Sequence, residues 1–224
     1  MFTCTQILPN VYHLNFDKRV EMNKSLGRIQ EFAENAKLCN QFFSTSRLKS
    51  YYKSLTGNGR FCYWKAILGC NIPSTAFRGF AEVFNCWTRR EKEVMAVVSE
   101  FTQPYYIIAT AVEDEKMGEA GALEHEIAHA LYSTNATYRN IVDTVLENLP
   151  AELRVKVTER VQNIIGYAPH VVWDETHAYL ATDSPVTLYF RLNIRDAEEQ
   201  KVLWHTHLKL SALLKNFSKN PDGN

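Results

Sequence analysis

The sequence has no apolar run of about 18 residues, the length that a membrane-spanning helix requires. Its amino terminus, residues 1–10, also lacks the basic start and the apolar core of a secretory signal peptide. From these absences we expect a soluble, cytoplasmic chain that is not exported and has no membrane partner.

Charge of one sign is not in excess either, because 25 Lys and Arg residues balance 25 Asp and Glu residues. Proteins that bind nucleic acids or anionic membranes usually present a strongly basic face. We therefore expect no nucleic-acid partner. Apolar residues make up 46% of the chain and charged residues 22%, a balance that is typical of a folded globular protein and excludes wholesale disorder.

Cysteine is scarce, odd in number and without any Cys-x-x-Cys spacing. This pattern favours free thiols in a reducing compartment over a disulfide framework. A redox pair or a second metal site formed by Cys62 and Cys70 is the alternative. The five positions are Cys4, Cys39, Cys62, Cys70 and Cys86.

Helical periodicity is the dominant pattern among the residues that are present. Apolar residues recur at helical spacing over the segments of about 14–55, 88–101, 137–149, 150–166 and 198–217. We predict that residues 1–103 form a helical N-terminal region packed on a core of residues 104–224. The two parts are expected to make one continuous globule.

Several helix ends are marked in the sequence. Thr88 with Glu91 three residues later predicts a capping box. Asn135 can cap the helix that follows it, and Gly166 can end the helix that precedes it. These signals mark where the predicted helices begin and end, and residues 198–217 predict a long amphipathic helix.

One segment, residues 105–112, predicts a strand because it is rich in β-branched and aromatic residues. A strand beside a site can pair with the backbone of an extended peptide, and an internal strand is the alternative. Residues 186–192 are typical of another strand or of a short apolar connector. Together with the helices, these segments predict an α+β fold that is predominantly helical.

Residues 121–132 contain the pattern His-Glu-x-x-His, formed by His125, Glu126 and His129. Helix-forming residues surround the pattern and predict a helix. Positions four apart on a helix differ by about 40° in azimuth, so the two imidazoles lie side by side and can bind one zinc ion. Glu126, rotated by about 100° from His125, can take a proton from a water molecule beside the ion. A buried helix whose histidines only form hydrogen bonds is the alternative.

A third zinc ligand must come from elsewhere, since a catalytic zinc site has three protein ligands and one open position. The metzincin arrangement would place a histidine six residues after His129, where this chain has Asn135. The other common solution is a carboxylate from a later helix, and Glu175 follows two predicted helices. Asp174 and His177 are the rival ligands, each on a different helix face from Glu175.

With this pattern, residues 105–183 resemble the zincin metallopeptidases, and most of all their gluzincin branch. The motifs that carry the resemblance are the His-Glu-x-x-His segment and the later Asp-Glu-Thr-His-Ala-Tyr segment. The resemblance implies a zincin-like core with a small sheet. It also implies a zinc ion held by His125, His129 and Glu175.

Roles for further residues follow from the same resemblance. It implies that Glu126 is the general base and that His177 or Tyr179 donates a hydrogen bond to the oxyanion of the tetrahedral intermediate. Many gluzincins have an Asp four residues after the third ligand, where it orients a ligand histidine. This chain has Tyr179 at that position, so the residue that would orient the histidine is not identified by the sequence.

The sequence thus predicts a zinc-dependent metallopeptidase that hydrolyses a peptide or protein substrate, with Glu126 as general base. The alternative is a zincin-like binding or regulatory protein whose metal site is inactive or structural. A purely structural helical protein is the third hypothesis. The residues select neither a particular substrate, nor endo- over exo-cleavage, nor an oligomeric state.

Overall fold

The computed structural model describes residues 1–56, 59–116 and 121–221. The chain divides into two compact units, Met1–Leu123 and Glu124–Asn224. The division predicted from the sequence falls at a different point, between residues 103 and 104.

A four-stranded mixed sheet lies in the first unit. Its strands are β1 (Phe2–Leu8), β2 (Val11–Phe16), β3 (Gly69–Pro73) and β4 (Tyr106–Ala111), in the order β1-β2-β4-β3. β2 and β4 are parallel, whereas β1 with β2 and β3 with β4 are antiparallel. The strand predicted at 105–112 is therefore present, but as an internal strand that is paired on both sides. It has no free edge for an extended peptide.

The prediction of a helical N-terminal region needs correction, because β1, β2 and β3 all lie within residues 1–103. β1 and β2 form a hairpin around Asn10, whose φ of 57° lies in the left-handed region that Asn tolerates. Burial along β2 does not alternate strictly, since His13 and Leu14 are both buried, and the two-residue period is weak. The hairpin is completed by pairing with β4, a long-range contact that local periodicity does not report.

Six helices lie wholly within the described part of the first unit. They are α1 (Arg19–Glu34), α2 (Thr45–Leu55), α3 (Tyr63–Ala66), α4 (Ser74–Val83), α5 (Arg89–Val98) and α6 (Val112–Lys116). The predicted capping box of Thr88 and Glu91 is confirmed at the start of α5. Glu91 also forms a buried ion pair of 2.7 Å with Arg28 of α1, so one carboxylate fixes the start of α5 against α1.

The described residues of the second unit form helices and no strand. These helices are α7 (Gly121–Thr134), α8 (Ala136–Glu147), α9 (Ala151–Ile165), α10 (Val172–Thr182), α11 (Pro185–Arg191) and α12 (Ala197–Lys219), with α7 starting just before the unit boundary. Asn135 caps α8 by accepting a hydrogen bond from the Tyr138 amide. Gly166 ends α9 with a φ of 80°. Both predicted helix ends are therefore confirmed.

Helix α10 is the most buried helix of this unit and packs against α9 and α12. The long helix predicted at 198–217 is confirmed as α12, which buries Leu203, Leu210 and Leu214. Because α10 is enclosed by its neighbours, Glu175, Thr176 and His177 lie in the interior, where each polar side chain needs a partner.

Helix α11 corrects the prediction of a strand-like segment or connector at 186–192. Ser184 accepts a hydrogen bond from the Thr187 amide, and Pro185 occupies the first turn. Both features start helices, because the serine satisfies an amide and the proline ring already has a helical φ. This local signal outweighs the β-branched and aromatic composition of the segment.

The protein is predominantly helical with a small mixed sheet, which confirms the α+β class. Among the described residues, no helix combines the length and the apolarity needed to cross a membrane. None of the five cysteines forms a disulfide, as the sequence predicts.

Candidate metal centre

Helix α7 places His125 and His129 side by side. Their ring centroids are 4.8 Å apart, and their Nε2 atoms are separated by 3.2 Å. Two nitrogens bound to one tetrahedral zinc ion at about 2.0–2.1 Å would be about 3.3 Å apart. The spacing of the two imidazoles therefore matches that of two ligands on one ion.

Helix α10 brings Glu175 to the same point. Its Oε1 lies 3.7 Å from His129 Nε2, and its Oε2 lies 3.9 Å from His125 Nε2. One ligand atom of each of the three residues lies within 4.8 Å of the others. In the described part of the chain this is the one group of three such side chains that could hold a metal ion.

Burial differs among the three side chains. His129 and Glu175 are almost completely buried, with 1% and 3% of their side-chain surface exposed. His125 keeps 18% exposed. Solvent therefore reaches the centre at His125, while the other two side chains form its interior wall.

Electrostatics make the two histidines unequal. Burial lowers the pKa of His125 well below its usual value, and the charge on His129 lowers it further. Burial also opposes the charged form of His129, but the carboxylates of Asp174 and Glu175 outweigh it and hold the pKa of His129 well above its usual value. His129 is therefore the donor in the hydrogen bond between the two Nε2 atoms.

The three side chains fit a zinc ion, since two imidazole nitrogens and one carboxylate oxygen are a common ligand set of catalytic zinc. Glu175 Oε2 is buried and accepts no hydrogen bond from the described residues, which is costly for a carboxylate oxygen. Burial raises the pKa of Glu175 to about 7. A divalent cation would neutralise this carboxylate and replace the proton between the imidazoles.

No protein-family model, curated protein or solved structure matches the chain.

Glu126, the predicted general base, is buried on α7 next to His125, with 5% of its surface exposed. Burial lowers the pKa of His129, and nearby carboxylates raise it. Asp174 and Glu175 have the larger effects, and Glu126 adds a smaller one. The charge of Glu126 therefore acts at the centre, although helix geometry turns it away from the two histidines.

Asp174, a rival ligand in the sequence, lies behind His129. Its Oδ1 is 3.1 Å from His129 Nδ1 and 3.5 Å from His177 Nδ1. Burial would raise the pKa of Asp174, but His129 and His177 outweigh it and lower this pKa to about 2. The carboxylate therefore contacts the far side of a candidate ligand, the position from which such groups orient histidines.

His177, predicted as an alternative ligand or as an oxyanion donor, has no exposed surface. Its Nε2 lies 2.8 Å from the Tyr138 hydroxyl, its Nδ1 faces Asp174, and its ring stacks on Tyr132 at 5.4 Å. Burial lowers its pKa. The structure thus places His177 behind Asp174, away from the group of ligand atoms.

Tyr179, the other predicted oxyanion donor, lies beside the centre. Its ring centroid is 4.9 Å from that of His125, and the guanidinium carbon of Arg191 lies 4.6 Å from the centre of the Tyr179 ring. Its hydroxyl is 3.1 Å from that of Tyr167, and Tyr167 opposes the effect of burial on the pKa of Glu175. Burial, with the charge of Glu175, raises the pKa of Tyr179 to about 12, so its hydroxyl stays protonated at neutral pH.

Sequence reasoning missed Thr182, Tyr167 and Asp143. Thr182 Oγ1 lies 3.1 Å from His125 Nδ1. The sequence contains a signal that could have indicated this residue. It follows Glu175 by seven residues, which places the two within about 20° of each other on a helix. Asp143 accepts hydrogen bonds from Tyr132 and Trp173, and neither it nor Tyr167 carries a local pattern that points to α10.

Proposed function

We propose that this protein is a zinc-dependent peptide-bond hydrolase in which His125, His129 and Glu175 hold the ion. The observation that carries this proposal is the convergence of the three side chains, two from α7 and one from α10, at distances suited to one ion. Two helices separate α7 from α10 in sequence, so local spacing alone does not produce the third ligand.

Glu126 adds the second requirement of hydrolysis, a base beside the centre. A zinc ion held there would supply a Lewis acid that polarises a carbonyl and makes water more acidic. Glu126 takes the proton of the attacking water and then passes it to the leaving amine. The gluzincins, which the chain resembles, divide the roles of ion and base in the same way. We propose a peptide or protein as the substrate.

Tyr179 is the residue that we propose as the hydrogen-bond donor to the carbonyl oxygen as that oxygen gains charge. It lies against His125, the ligand that solvent reaches, and its raised pKa keeps the hydroxyl protonated. Donors that are fixed before the reaction stabilise such charge without reorganisation. His177 instead supports Asp174, because it is buried behind that carboxylate.

Zinc affinity is expected to fall as the pH is lowered through about 7. Burial raises the pKa of Glu175 to about 7, and the pKa of His129 is held above its usual value by Asp174 and Glu175 against burial. Protons therefore compete with zinc for both ligands, and each displaced proton changes the apparent affinity by about tenfold per pH unit. Competition titration against a chromophoric chelator between about pH 6 and 8 measures the slope. An affinity that is constant over this range would contradict the ligand assignment.

A further inference from the structure

Thr182 contacts the candidate ligand His125 on the side opposite to the centre. Its Oγ1 lies 3.1 Å from His125 Nδ1. The same hydroxyl donates a hydrogen bond of 2.7 Å to the carbonyl oxygen of Ala178. A hydroxyl has one proton, so Thr182 Oγ1 can only accept from His125.

This arrangement settles which nitrogen of His125 carries the proton. Since Thr182 is the acceptor, Nδ1 must be the donor. A neutral imidazole has one N–H, and here Nδ1 holds it because Nδ1 donates to Thr182. Its Nε2 then carries a lone pair, and that atom is the one that faces His129 and Glu175.

We propose that Thr182 is a positioning residue that fixes the tautomer and ring orientation of His125 for binding a divalent cation. The inference rests on the proposed metal centre. Thr182 and Glu175 are seven residues apart on α10, nearly two full turns, so one face of the helix supplies both a ligand and the group that orients another ligand. The role of orienting a ligand histidine was not assigned by the sequence, because Tyr179 lies four residues after Glu175 where many gluzincins have an Asp. We assign this role to Thr182.

The two ligand histidines are consequently held by different chemistry. His129 faces the charged carboxylate of Asp174, whereas His125 faces the neutral hydroxyl of Thr182. A charged acceptor raises the basicity of an imidazole more than a neutral one does. His125 is therefore the less basic ligand and also the more exposed one.

The test replaces the hydroxyl without changing the shape of the side chain. Thr182→Val removes the acceptor, and we expect the zinc dissociation constant to rise by about 10- to 100-fold. Thr182→Ser keeps the hydroxyl and should restore an affinity close to that of the unchanged protein. Thr176→Val is a matched control on the same helix, because the Thr176 hydroxyl also donates a hydrogen bond to the carbonyl four residues earlier. Competition with a chromophoric chelator measures all four proteins, and circular dichroism checks their folding.

A second readout does not depend on zinc. Nitrogen NMR of the zinc-free protein should show the Nδ1–H tautomer of His125, and Thr182→Val should convert part of it to the Nε2–H tautomer. An Nε2–H tautomer in the unchanged protein would overturn the proposal, as would equal zinc affinities of the Thr182→Val and Thr176→Val variants. If the unchanged protein binds no zinc, the metal centre fails, while the tautomer measurement still decides the role of Thr182.

Discussion

Glu126→Gln is expected to abolish peptide hydrolysis while leaving zinc bound. The substitution removes the base and leaves in place the three side chains that converge on the ion site. A general base typically contributes 10²- to 10⁴-fold to the rate, so hydrolysis should fall by at least about 10²-fold. Mass spectrometry of cleavage products from a mixture of unmodified peptides measures hydrolysis, and elemental analysis measures bound zinc.

Glu124→Gln is the matched control, because it makes the same chemical change on the same helix at an exposed position. It should leave both hydrolysis and zinc content unchanged. Cleavage by Glu126→Gln at the rate of the unchanged protein would exclude the proposed base. Stoichiometric zinc without any hydrolysis in the unchanged protein would instead favour the binding or regulatory protein that the sequence also allows.

Glu175→Gln is expected to have the largest effect on metal binding. Gln keeps the size of the side chain but removes the charge that balances the cation, so zinc affinity should fall by more than the roughly 10- to 100-fold typical of a lost orienting group. Asp174→Asn weakens the group that orients His129, so its loss of zinc affinity should lie within that 10- to 100-fold range. Chelator competition on both variants ranks them, and a greater loss for Asp174→Asn would transfer the ligand role to Asp174.

Stability separates lost binding from lost folding in the Glu175→Gln variant. Burial raises the pKa of Glu175 to about 7, whereas a glutamate in the unfolded chain titrates near 4.3. The zinc-free protein therefore loses stability as the pH rises from about 4.3 to 7, because the buried carboxylate must ionise. At about pH 8 the zinc-free variant should be at least as stable as the unchanged protein, and urea denaturation measures this. A large loss of stability would mean that Glu175 supports the fold rather than an ion.

The sequence predicts the part of the centre that depends on local spacing. His125 and His129 are four residues apart on one helix, and their adjacency follows from helix geometry alone. Glu175 was one of three options, because α10 is buried on most of its surface and offers no polar face that would orient Asp174, Glu175 and His177. Only the packing of α10 against its neighbours determines which of them faces α7.

The parts that the sequence missed depend on contacts between distant segments. The hairpin of β1 and β2 is completed by pairing with β4, and no local period reports such a pairing. Helix spacing could have placed Thr182 on the same face as Glu175, because the two are seven residues apart. Its role becomes visible only when the His125 ring lies against that face.

The most direct test is a crystal structure of the full chain grown with zinc, with diffraction recorded on both sides of the zinc absorption edge. We expect one anomalous peak at about 2.0–2.2 Å from the Nε2 atoms of His125 and His129 and from a Glu175 oxygen. An ion bound by Asp174 or His177 instead, or no ion between the two histidines, would contradict the proposed centre.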